Sequence, residues 1–255
     1  MHLKTLFRLS IGGLLATLPT FALSDTIVLM ADEWCPYNCA PDSDAPGFMI
    51  EIAREALAPF GHEIDYQTLN WARSLYRAEV GEIDGVIGAI PDEAPSLIFG
   101  APIGTYSDAI AFRSGELIDP DTLLDHGDLR LGAINGYVYY GVVNDYIALK
   151  EHDRSLVQYS SGDDALSKNL LKLVSDRLDM VAEARAVLEY TIAENQMSDK
   201  VEIATVAEVD DIFIAFSPAR PTSQTYADQL SEGVAQLKES GRFYEIMLKY
   251  GQEIN

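Results

Sequence analysis

The loop ADEWCPYNCAPD at residues 31–42 holds both cysteines of the chain, Cys35 and Cys39, and their spacing bounds the chemistry open to it. C-x3-C is not the C-x-x-C of a thioredoxin-like redox device, and no second pair completes a zinc site. In an oxidising compartment the two thiols are expected to close a disulfide on each other. So small a ring constrains little chain entropy, which leaves a local brace for the turn carrying Trp34, Pro36 and Tyr37. Trp34 and Tyr37 could stack on a ligand or contact a cation, or pack into an edge of the fold.

Charged positions offer a second kind of chemistry. With Asn70 as N-cap, Arg73 lies in the first turn of a helix, where a cation costs about 0.3–1 kcal/mol unless an anion compensates. An arginine beside free N–H groups suits a carboxylate or phosphate; the alternative is an ion pair with one of the chain's 40 acids. Glu183 follows a strand-like run and could meet an amino group or form a surface ion pair, with Arg185 as its partner or replacement. Gly136 could let the backbone approach a ligand or simply turn the chain. Trp71 opens a helix and reads as core. Asp42 to Asp44 hint at calcium but lack the later bidentate acid of an EF-hand, so they read as a solvated loop. His62, His126 and His152 are not at metal spacing, so no metal site is expected. No G-x-S-x-G, H-E-x-x-H, P-loop or G-x-G-x-x-G occurs, so neither an enzyme motif nor a cofactor is expected.

The elements that must position these residues alternate between strand and helix. Thr26–Met30 reads as a strand, and 47–61 places Met49, Ile52, Ala53, Ala56, Leu57 and Phe60 on one helical face. A strand over 63–69, a helix from Trp71 to about Val80 and a buried strand over 84–90 follow. A Pro-rich stretch from Pro91 to Pro102 interrupts, and Tyr106 to Phe112 reads as another strand. The alternation then restarts at Arg130–Ile134 and continues through strands near 156–159, 177–182, 201–206 and 212–216. Helices are expected over 139–150, 163–175, 184–195, 222–239 and 242–249. This rhythm predicts βαβ units with mainly parallel sheets. Glu82-Ile-Asp-Gly-Val-Ile-Gly-Ala89 also echoes Arg177-Leu-Asp-Met-Val-Ala-Glu-Ala184, which suggests two similar α/β lobes. A ligand would lie beyond the carboxyl ends of the strands, in the cleft between the lobes.

Residues 1–24 set the compartment. Lys4 and Arg8 precede the apolar run Leu9–Leu18, and Ala22-Leu-Ser24 offers a small-residue cleavage site. This reads as a signal peptide removed after Ser24, its apolar run too short to span a bilayer. The alternative is an N-terminal anchor. The net charge of −22 becomes −24 once Lys4 and Arg8, the only charged residues of the leader, are gone. Nucleic acid and anionic membranes repel such a surface and are poor partners, so neither nucleic-acid binding nor stable membrane insertion is expected.

The order of GFMIEIAREAL, NWARSLYRAEVGEIDGVIGAI, LGAINGY and DRLDMVAEA, after an aromatic turn and in an exported chain, resembles extracytoplasmic solute-binding proteins of ABC-type polar amino acid uptake. The resemblance runs through residues 25 to 255 on the order of several weak motifs. It implies a two-lobed periplasmic-binding-protein fold, with residues 25–109 beginning lobe 1, 110–213 forming lobe 2 and 214–255 returning to lobe 1. Two crossing strands, near 107–113 and 210–217, would join the lobes. It also implies a periplasmic monomer that closes on a small polar solute, an amino acid or related carboxylate or zwitterion, and delivers it to an inner-membrane ABC permease. Trp34 or Tyr37 would supply the family's aromatic after the first strand, Gly136-Tyr137-Val138 its lobe-two turn, and Glu183 its acid for an amino group. After the first lobe's Asp-x-Val-Ile strand the family carries a Ser/Thr-rich turn and an arginine that clamps a carboxylate. Ala89-Ile-Pro-Asp-Glu-Ala-Pro-Ser96 has no arginine, and Arg73 could substitute. Relatives of this fold that became periplasmic dehydratases or sensor modules are the alternatives.

Overall fold

The computed structural model describes residues 25–252 except 117 and 163. The leader expected at 1–24 lies outside the described residues. Both sheets are built by alternating strands and helices. The first contains β1 (Thr26–Ala31), β2 (Glu63–Thr68), β3 (Gly85–Ala89), β4 (Ile98–Phe99) and β5 (Gly104–Tyr106), with α1 (Phe48–Leu57) and α2 (Trp71–Glu79) between them. The second contains β6 (Asp108–Arg113), β7 (Leu131–Ile134), β8 (Val157–Ser160), β9 (Met180–Ala184) and β10 (Val201–Thr205). Its helices are α3 (Gly141–Lys150), α4 (Ala165–Val174) and α5 (Arg185–Glu194). The chain then returns to the first sheet through β11 (Asp210–Phe216) and ends in α6 (Ser223–Ser240) and α7 (Arg242–Lys249).

The two sheets share a plan. In the order β2-β1-β3-β11, three parallel strands meet an antiparallel fourth, and β8-β7-β9-β6 repeats it. The echoed segments 82–89 and 177–184 are the equivalent strands β3 and β9 with their approaches. In each, the residue just before the strand is an aspartate that clips the chain of the neighbouring strand. Asp84 Oδ2 accepts from Val28 N at 2.8 Å, and Asp179 Oδ2 accepts from Arg130 N at 2.8 Å. The internal resemblance therefore has a structural cause: one clip does the same work in both lobes.

Strands of both sheets are covered on both faces. Ile27 and Leu29 of β1 pack against α1 and α6, while Met30 joins Trp71 and Ala78 on the opposite face. In β6, Ala109 and Ala111 face one core and Ile110 and Phe112 the other. That is why the inner strands read as near-continuous apolar runs, whereas the outer strand β2, EIDYQT, alternates. α6 lies against α1 so closely that a Cβ on Gly233 would stand 2.2 Å from Ala56 O, which only glycine permits.

Three elements differ from expectation. The strand expected over 106–112 is two strands, since the chain leaves the first sheet at Tyr106 and enters the second at Asp108. Apolar continuity cannot report a change of sheet at Ser107, whose carbonyl accepts from Arg185 N at 2.9 Å. The Pro-rich stretch contains β4, whose Phe99 pairs with Ala215. The helix expected to run to 61 ends at Leu57, because Pro59 opens a 3-10 turn that closes on Gly61 at φ +86°.

Candidate functional site

The loop at the carboxyl end of β1 is built from its backbone outward. Trp34 N donates to Asn38 O at 2.7 Å, and Asn38 Nδ2 donates to Asp32 O and to Tyr66 Oη. Cys35 and Cys39 form a disulfide across this turn, with Cα atoms 4.8 Å apart. Tyr37 is 1% exposed, donates its hydroxyl to Thr105 O and stacks on Trp34 at 4.2 Å between ring centroids. The loop therefore presents Trp34 and uses Tyr37 as the slab beneath it.

Trp34 faces a small, partly open cavity between the lobes. Its walls are Trp34, Trp71, Ile90, Glu93, Tyr106 and Ile212 from the first sheet's side, and Asp108, Tyr137, Tyr139 and Glu183 from the second's. On the other side of Trp34, Tyr137 and Glu183 opens a wider groove lined by Asp32, Glu33, both cysteines, Asn135 and Glu194. No Lys, Arg or His lines either space among the described residues.

Two hydrogen bonds cross between lobes at this cavity. Trp34 Nε1 donates to Glu183 Oε1 at 2.9 Å, and Tyr137 Oη donates to Asp32 Oδ2 at 2.7 Å. Glu183, 3% exposed, closes β9 as its last inward side chain and also accepts from Ala184 N at 2.8 Å. Burial pushes its carboxyl up to about 8; the charges of Asp108 and Asp32 add to this, and the bonds from Trp34 and Ala184 oppose it. Asp108, first residue of β6, accepts from Tyr140 N at 2.8 Å and is pushed up to about 6, again by burial first. Glu93 accepts from Trp71 Nε1 at 2.7 Å, and burial raises it too. The site is thus an aromatic chamber holding three carboxyl groups, each kept from easy ionisation by the loss of water.

The structure brings Trp34, Tyr137 and Glu183 together. Gly136, at φ +88°, makes the turn that delivers Tyr137; a Cβ there would come 3.9 Å from Ala72 Cβ at the start of α2. Arg73 is exposed, lines neither space and makes no ion pair or side-chain hydrogen bond among the described residues. The reason is helical phase: Trp71 and Ser74 take the buried face of α2, which turns Arg73 outward. Asn70 is the N-cap position of α2, yet its side chain caps nothing; its carbonyl accepts from Ser74 Oγ instead. Trp71 is packed in a core cluster, as its position suggests, and also walls the cavity.

Sequence reasoning missed Glu93, Asp108, Tyr106 and Tyr139. Glu93 carried a signal, since it sits in the turn searched for an arginine. Asp108 carried none, because the sheet change beside it was invisible.

The family described as bacterial extracellular solute-binding proteins, family 3, matches residues 26–253. A histidine kinase sensor domain with similarity to periplasmic binding proteins superposes with a TM-score of 0.69 at 19% identity, covering 88% of this chain and 95% of that one. An ancestral arginine-binding protein bound to arginine gives a TM-score of 0.69 at 18% identity, over 88% and 97% of the two chains. A substrate-binding protein of an amino acid ABC transporter from Streptococcus pneumoniae, bound to L-arginine, gives 0.67 at 16%, over 88% and 94%. At such identities these likenesses concern the fold. A search among curated proteins gave no match.

Proposed function

The chain belongs to the bacterial extracellular solute-binding proteins of family 3, and on that premise we propose that it is a periplasmic receptor that captures a small polar solute by hinge closure for an ABC-type importer. The observation that carries this reading is the cavity whose walls come from both lobes and are tied by the Trp34–Glu183 and Tyr137–Asp32 hydrogen bonds. A solute seated there would bridge lobe 1, taken as 25–109 with 214–255, to lobe 2, taken as 110–213. It would favour the closed population by its better contacts with that state. Among the described residues no helix is long and apolar enough to cross a membrane, so delivery would fall to a separate permease.

Thermal unfolding of the mature protein across amino acids, small carboxylates, amines and oligosaccharides tests the reading. A ligand at 100 times its Kd adds about 2.7 kcal/mol, a shift of about 5–10 °C at this size. A flat response to every class would sink it. The likeness to a sensor domain favours a second reading, in which the same closure drives signalling. Solute uptake by cells lacking this protein separates the two. Lost uptake supports transport, whereas intact uptake with a lost transcriptional response supports sensing. Conversion of the bound solute would instead reveal an enzyme.

A further inference from the structure

The geometry points to a small organic cation without a carboxylate as the solute of this cavity, its ammonium group set against Glu183, Asp108 and Glu93 and its apolar body held by Trp34, Trp71 and Tyr106. This assignment rests on the receptor reading above and deepens it.

The argument is one of unmatched hydrogen-bonding capacity. Each of the three carboxyl groups has one oxygen held by the protein: Glu183 by Trp34 Nε1 and Ala184 N, Asp108 by Tyr140 N, Glu93 by Trp71 Nε1. The second oxygen of each has no hydrogen-bond partner among the described residues. Open acceptors therefore remain on Asp108 and Glu93, and Glu183 joins them once a cation drives off its proton. Three donors are engaged, both indole N–H groups on Glu183 and Glu93 and the Tyr137 hydroxyl on Asp32, while the Tyr106 and Tyr139 hydroxyls donate to nothing among the described residues. A solute carboxylate would enter among three acids, with no basic side chain lining the chamber to receive it. Buried charge must be paired, and here the pairing cation is missing from the protein. The raised carboxyl groups of Glu183 and Asp108 agree with this, being acids whose ionised forms lack a partner until a cation arrives. Aromatic faces complete the match, since an ammonium within about 6 Å of a ring centroid is attracted by the ring quadrupole, most strongly in a dry site. The wider groove beyond Trp34 continues the same sign with Asp32, Glu33 and Glu194.

Isothermal titration calorimetry on the full mature chain tests this with six probes. Choline, tetramethylammonium and putrescine are the cations; glycine betaine, L-arginine and L-glutamine carry a carboxylate. At least one cation is expected to bind at least tenfold more tightly than all three carboxylates. Glu183→Gln should weaken that cation at least tenfold with an unchanged far-UV circular dichroism spectrum, and Asp108→Asn should weaken it in the same direction. Equal or tighter binding of a carboxylate-bearing probe would overturn the cation assignment and leave the receptor reading standing. Silence from all three cations would likewise overturn it. A probe returned chemically altered would instead defeat the receptor reading itself.

Discussion

Replacing Glu183 by glutamine isolates what it costs to keep an acid in the cavity wall. The amide keeps an Oε1 that accepts from Trp34 Nε1 and Ala184 N, so both bonds at 2.9 and 2.8 Å can persist. What changes is proton linkage. Folded, the Glu183 carboxyl is pushed up to about 8 by burial; unfolded, it ionises near its ordinary 4.5. A raised value means the stability it supports is fully present below 4.5 and is lost as pH climbs through 8. At pH 7 the folded form still holds its proton across 2.5 pH units, each worth about 1.36 kcal/mol, a cost of about 3 kcal/mol. The glutamine chain has no such cost, though its new amide N–H2 loses some water, worth about 1–2 kcal/mol. The variant should therefore be about 1–3 kcal/mol more stable than the parent at pH 7 and more so at pH 8.5, with the gain vanishing near pH 5–6 and turning into a loss of about 1–2 kcal/mol at pH 4.5. Urea unfolding at pH 4.5, 7 and 8.5 measures this, and thermal scans should show about 2–4 °C per kcal/mol. Parallel stability curves, with no gain for the variant between pH 5 and 8, would refute the reasoning. The same substitution should weaken solute binding, the familiar opposition of stability and function at a strained site.

Other perturbations follow from particular contacts. Gly233→Ala drives a methyl group to within 2.2 Å of Ala56 O. It should separate α6 from α1 at a cost of about 1–3 kcal/mol, read as a lowered midpoint in denaturant. Removing the Cys35–Cys39 disulfide by double serine substitution releases a ring of about five residues, worth at most about 2 kcal/mol, so Tm should fall by no more than about 8 °C. Cation binding should fall further in proportion, because the ring holds Trp34. Asp179 is held down to about 2, first by its hydrogen bond from Arg130, so its support is present above its ordinary 3.8 and lost as pH falls through 2. Asp179→Asn should accordingly destabilise at pH 7 and make no difference in acid, as measured by unfolding at pH 7 and pH 2.

How much of this was legible beforehand depends on the range of the interaction. Strand and helix order, the disulfide loop and the equivalence of β3 and β9 rest on local patterns, and the sequence shows them within a few residues. Position 183 was legible as a strand end aimed at a cleft. Its partner was not, because Trp34 lies 149 residues away and only the meeting of two sheets brings them together. The exposure of Arg73 shows the same limit from the other direction. Its place near a helix N-terminus was read well, but which face of α2 is buried is decided by what packs on Trp71 and Ser74. What the sequence by itself determined is the pair of α/β lobes and the residues at the ends of their strands, since periodicity and turn chemistry act over a few positions. Only the tertiary structure decided the sign of the site. Three carboxyl groups from segments far apart share one chamber there while the arginines stay outside, and no local pattern encodes which charges burial will gather.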